Sequence, residues 1–297
     1  MNNILRKAKT RKKDKWAYVF YYLIAIPCVL QVCIFHFYGS LESILLSFQS
    51  YNEVENTFYF SGFSTWKVLF EELFAEGMGP IWGRSLFLYG LSLVTIVVNL
   101  TISFFLYKKI PFSNLFKVIL FLPSVIPGMA MVLFYKSFVE LNWAPTIISD
   151  PNTAFEMLVI YGLWIGFGGG MITYCGLFAR ISPELMDAIK IDGGNLWTEF
   201  RHLAWPAVYP LVTVNLYTGL GTIFSGSPNT YAFFGNYAPE ETHTIGYIMY
   251  SKIVGNSSTS LYQNYCLTSA ANLIFGLIVF GPTLLGKHLF EKYDPNN

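Results

Sequence analysis

Few side chains in this sequence have the type and spacing for covalent chemistry. The four cysteines, Cys28, Cys33, Cys175 and Cys266, each lie in an apolar stretch, without the Cys-x-x-Cys spacing of a metal or redox site. They read as small helix residues, and no metal site is expected. The nucleotide-phosphate loop Gly-x-x-x-x-Gly-Lys-Ser/Thr does not occur, since Gly286-Lys287 is followed by His288. The chain is therefore expected to be no enzyme and to hydrolyse no ATP by such a loop. The carboxylate pair of a glycan-processing enzyme is equally missing, because the acids are scattered through loops. What the apolar stretches do carry is neutral: Asn99, Thr101, Ser103, Tyr161, Thr173, Tyr174, Thr213, Asn215, Tyr217 and Thr218. Singly, such groups read as helix-to-helix hydrogen bonds at about 0.6 kcal/mol each. Together with the aromatics they suit an uncharged, hydroxyl-rich solute better than an ion.

The elements that position these groups follow from composition. Of 297 residues, 54% are hydrophobic, 18% aromatic and 12% charged, and mean hydropathy is +0.45. Soluble domains carry about 25% charged residues, so a water-soluble enzyme, a disordered chain and a nucleic-acid binder are all excluded. A helix needs about 20 apolar residues to cross the hydrocarbon core. Six segments qualify, 17–38, 84–107, 118–138, 156–179, 205–224 and 265–286, which predicts an all-α polytopic membrane protein. The first run is too long for a signal peptide and reads as a span. Arg84, Lys136 and Glu156 fall at span ends, and the span middles hold no Asp, Glu, Lys or Arg. That counts against a proton-coupled carrier.

Lys and Arg set the expected orientation. Fifteen of the nineteen lie in the tail 1–16, the 2–3 and 4–5 loops and the C-terminal end 291–297 with its approach. The positive-inside rule then places both termini in the cytoplasm of a cell (plasma or inner) membrane. The tail holds Arg6, Lys7, Lys9, Arg11, Lys12, Lys13 and Lys15, a cluster suited to anionic headgroups of the bilayer rather than to nucleic acid. Gly166, Gly168, Gly169 and Gly170 in span four, and Pro123 and Pro127 at the start of span three, read equally as close packing or as broken-helix behaviour.

The loop between spans four and five, residues 180–204, is the informative one. Ser182 suits an N-cap, Pro183 the first helical position, and Glu184 and Asp187 the positive helix end. Leu185, Ala188 and Ile189 form an apolar stripe, and Gly193-Gly194 closes the helix. Leu196, Phe200 and Leu203 mark a second short helix leading to Pro206. Glu184, Asp187 and Asp192 face Lys190 alone among the charges, so anionic lipid would repel this helix and docking on protein is expected.

Asp187-Ala188-Ile189-Lys190-Ile191-Asp192-Gly193-Gly194, followed by Phe200, Leu203, Pro206 and Pro210, resembles the EAA motif of permease subunits in binding-protein-dependent ABC importers. Leu122-Pro123-Ser124-Val125-Ile126-Pro127, Tyr161-Gly162-Leu163-Trp164, and Asn264-Tyr265 with Ala270-Ala271 resemble patterns of the maltose-type sugar branch, on the oligosaccharide/polysaccharide side. Asp187, Ile189 and Gly194 depart from the motif's Glu and Ala positions, while Asp192-Gly193 matches. The resemblance spans about residues 17–290 as one transmembrane permease domain. It implies a heterodimer with a second permease subunit, two ATPase subunits that bind ATP and Mg, and an extracytoplasmic sugar-binding protein. No cofactor is implied for this chain. It further implies that residues 184–194 couple to an ATPase, with Glu184, Asp187, Ala188, Lys190, Asp192, Gly193 and Gly194 as contacts. In that picture, chemistry and depth nominate Asn99, Tyr161, Trp164, Asn215, Tyr217 and Phe224 for the sugar path. The outer loop 225–264 would contact the binding protein, cover the gate or stay solvated. An importer of another small polar solute, or a secondary carrier, is the alternative.

Overall fold

The computed structural model describes residues 15–143, 146–227, 229–255 and 261–295, without the side chains of residues 15–17 and 19. The basic cluster predicted at the N-terminus thus lies outside the described residues. In chain order the helices begin with α1 (Lys15–Gln31), which continues through a π-helical stretch, Val32–Tyr38, into α2 (Gly39–Leu46). A hairpin of β1 (Gln49–Asn52) and β2 (Thr57–Phe60) follows, antiparallel with Gln49 opposite Phe60, and then α3 (Ser64–Leu73). Next come α4 (Met78–Tyr107), α5 (Ser113–Val125), α6 (Gly128–Asn142) and α7 (Ala154–Phe178). The 4–5 loop forms α8 (Pro183–Ile191) and α9 (Leu196–Glu199), then a π turn, Phe200–Ala204, leading into α10 (Trp205–Thr218). Short α11 (Thr222–Ser225), α12 (Thr230–Phe234) and α13 (Ile245–Val254) precede the long α14 (Leu261–Lys292).

Among the described residues, five helical segments are long and apolar enough to cross a membrane, and six if the α5–α6 pair counts as one span. That pair is the main departure from a row of straight crossings. The sequence reading starts span three at residue 118 and breaks it near that start; instead α5 begins at Ser113 and the chain bends by 107° midway, between Val125 and Gly128. The cause is local. Ile126 precedes Pro127, and the proline ring disfavours helical angles for the residue before it; Ile126 is extended at φ −78°, ψ 138°. Pro127 also has no N–H to return to the carbonyl of Pro123.

The glycines of span four resolve the other way. The helix α7 runs unbroken, and a Cβ on Gly168 would stand 2.3 Å from the Leu120 carbonyl oxygen of α5. One on Gly170 would stand 2.5 Å from Asn99 Nδ2 of α4. Close approach is the use of Gly168 and Gly170. Around this α4–α5–α7 contact lie three buried clusters. One joins α3, α13 and α14 through Leu69, Ile245 and Ala271. A second joins α6, α7 and α12 through Tyr135, Tyr161 and Phe233. The third, at the end that carries α8, joins α4, α7 and α10 through Phe104, Phe178 and Val208.

Candidate functional site: a loop platform and a neutral cavity

Helix α8 is built as its residues dictate. Ser182 Oγ accepts the Glu184 N–H at 3.3 Å, with Pro183 in the first turn. Its far end closes with a paired motif in which Gly194 N–H donates to Ile189 O at 2.8 Å and Gly193 N–H to Lys190 O at 3.0 Å. Gly193 sits at φ +76°, where only glycine is unstrained. Asn195 then caps α9 by accepting the Thr198 N–H at 2.9 Å.

Charge on this platform is uneven. Lys190 donates to Asp187 at 3.0 Å, and that carboxylate holds the ammonium above its ordinary pKa. Glu184 and Asp192 remain exposed, as do Ala188 and Gly193; Gly194 is half-buried. Between them stand apolar side chains that the fold leaves open: Leu185 (53% exposed), Ile191 (86%), Leu196 and Trp197. These groups form an exposed apolar patch outside the crossing helices.

Away from α8, a cavity of about 920 Å³ opens between α11, α12, α13 and α14, with Met129 of α6 at its edge. Its walls are largely aromatic and aliphatic. Phe224 stacks on Phe275 with ring centroids 4.3 Å apart, and Trp82 braces Phe224 edge-on at 5.9 Å. Polar residues line it at intervals: Asn229 and Tyr231 at the start of α12, and Thr268, Asn272 and Thr283 on α14. Thr268 is buried and its hydroxyl finds no partner among the described residues. Among the described residues the cavity lining includes no ionisable group except tyrosine hydroxyls.

Of the six nominated pathway residues, Phe224 lines this cavity and the other five do not. Asn99 is 4% exposed and donates to Gly166 O at 3.1 Å, joining α4 to α7. Tyr161 is buried against Tyr135 and Phe233, with Trp164 packed on the same cluster. Asn215 donates to the Tyr174 hydroxyl at 3.3 Å, and the Tyr217 carbonyl accepts from Thr283 at 3.3 Å. These groups hold helices together. The cavity residues of α14 have a pattern of their own in the sequence: Thr268, Asn272, Gly276, Val279 and Thr283 recur at helical spacing on one face. The loop 225–264, left open between three roles, supplies much of the wall.

No protein-family model matches the chain. It is 28% identical over 230 residues to the probable starch degradation products transport system permease protein AmyD of Thermoanaerobacterium thermosulfurigenes, covering 74% of this chain and 76% of that one. To the arabinooligosaccharides transport system permease protein AraP of Bacillus subtilis it is 24% identical over 249 residues, covering 77% and 78%. A 140-residue stretch is 29% identical to the maltose/maltodextrin transport system permease protein MalF of Vibrio parahaemolyticus, 41% of this chain and 27% of that one. In three dimensions it matches a chain of a bacterial alginate ABC transporter crystallised with an alginate pentasaccharide-bound periplasmic protein. That match has a TM-score of 0.68 and 17% identity, and covers 95% and 96% of the two chains. The fold is therefore shared with that chain, and the protein is a multi-pass membrane protein.

Proposed function

We infer that this chain, a permease of the sugar-importing ABC transporters by its relatives and its fold, forms half of an oligosaccharide path and takes its energy from a separate ATPase. The observation that carries the reading is the platform α8–α9: a capped, acidic helix that presents Leu185, Ile191, Leu196 and Trp197 outward from a buried base. A rigid knob of this kind moves as a lever when the ATPase pair that grips it closes on ATP and Mg. Residues 184–194 are the contact, with Glu184, Asp187, Ala188, Lys190, Asp192, Gly193 and Gly194 setting its charge and shape.

A second permease subunit completes the path, and a sugar-binding protein delivers the solute at the end where the cavity opens. The charge pattern of the loops supports cytoplasmic termini. Phe224 and Phe275 offer faces for sugar rings, while Asn229 and Asn272 offer hydrogen bonds to hydroxyls.

The test is Ile191→Asp with Leu185→Asp in the intact transporter. Because both side chains are exposed, the chain should insert and fold normally while ATPase subunits no longer co-purify and uptake of a starch- or arabinan-derived oligosaccharide stops. Normal ATPase association and uptake in that variant would overturn the reading.

A further inference from the structure

One ion pair stands apart from the exposed ones. Lys108, just beyond the end of α4, pairs with Glu199 at the end of α9, with 16% and 6% of their side chains exposed. Resting on the reading above, we propose that this pair is a latch: Lys108 and Glu199 are positioning residues that bolt the coupling platform to α4, so that force on α8–α9 is delivered to the α4–α7 pair rather than directly to α10.

Three independent features carry this. First, the bond is backed by neighbours of the same two elements. Tyr107 donates its hydroxyl to Met186 Sδ of α8 at 3.0 Å, and Phe104 packs edge-on against Phe200 at 5.3 Å. Second, α4 continues the connection inward as one body with α7. Ser103 Oγ reaches the Met171 carbonyl at 3.0 Å and Asn99 reaches Gly166 O at 3.1 Å. Third, the covalent route from α9 to α10 passes through the π turn Phe200–Ala204, a wider turn that accommodates bending. The platform is thus pinned to α4 by an ion pair, a hydroxyl contact and a ring pair, while its covalent link to α10 runs through the irregular π turn, whose Phe200 and Ala204 pack on the cluster shared by α4 and α7. A desolvated ion pair suits a pin, since attraction strengthens in low dielectric and removing one partner strands the other.

The experiment uses the assembled transporter with four variants: Glu199→Gln, Lys108→Met, the swap Lys108→Glu with Glu199→Lys, and Lys108→Arg. Two readouts are taken, sugar taken up per ATP hydrolysed and the distances between spin labels across the ATP cycle. One label pair joins exposed Pro183, at the start of α8 and outside the contact 184–194, to exposed Lys109 beside α4; the other joins Pro183 to exposed Val214 on α10. In the parent, the first distance should hold constant and the second should change. The two single removals should keep ATPase association, lower uptake per ATP at least tenfold and release the first distance. The swap should restore most of the coupling, and Lys108→Arg should retain it. Unchanged coupling in both removals would overturn the latch, as would failure of the swap to rescue, or a constant second distance in the parent. A parent chain that binds no ATPase would instead overturn the importer reading, and the latch with it.

Discussion

Replacing Gly168 with alanine gives a sharp test of how spans three and four are held. The added Cβ would lie 2.3 Å from the Leu120 carbonyl oxygen, whereas a carbon meets such an oxygen at about 3.3 Å or more. The oxygen belongs to the backbone of α5 and cannot rotate aside, so α5 and α7 must part by about 1 Å. Overpacking of this sort costs about 1–3 kcal/mol, partly offset by the gain of about 1 kcal/mol when alanine replaces a helical glycine. The expected net loss is about 1 kcal/mol, and about 2 kcal/mol where the helices yield least. Gly169, one residue on, is exposed with nothing within 4 Å of its added Cβ, so Gly169→Ala should keep the whole propensity gain. Thermal unfolding of the detergent-solubilised transporter, followed through a fluorescent fusion by size-exclusion chromatography, separates the two. Gly168→Ala should fall several degrees below the parent, and Gly169→Ala should match or exceed it. Equal midpoints for the two variants would refute the close-packing argument, because composition and helix are the same in both.

Gly193→Val places a branched side chain at φ +76°; it should cost about 1–2 kcal/mol and lower ATP-driven uptake, while Gly193→Asn should be tolerated, measured as uptake in vesicles. Ser182→Ala removes the cap accepted from Glu184 N–H, which should destabilise α8 locally by about 1 kcal/mol and speed amide exchange there without altering the span helices. Phe224→Ala removes one face of the stack on Phe275; uptake of oligosaccharide should fall with ATPase association intact, read by transport and co-purification together.

The crossings were legible because a bilayer demands long apolar runs, and the start of α8 because Ser182-Pro183 and Gly193-Gly194 are local backbone instructions. Pro127 announced a break, but neither its position midway along the span nor the 107° bend followed from sequence. Those depend on Ser113 starting a helix ahead of Lys117, a residue the hydropathy reading treats as a boundary. The polar residues of the spans were legible as a class and not as a site. Asn99 and Ser103 spend their hydrogen bonds on α7, whereas Asn272 and Thr268 meet the cavity; the difference lies in helix rotation, which one chain's hydropathy hardly encodes. The partner of Glu199 lies 91 residues away, and no local pattern announces such a pairing.

The elbow at Ile126-Pro127 sets a condition on how the protein can exist at all. Bending there truncates α5 at Val125, so its closing peptide oxygens have no following turn to satisfy them, and oily tails offer nothing in exchange. That face must be wetted by the translocation route or sealed by a sister polypeptide. A copy that left that face against lipid would be a poorly accommodated membrane solute.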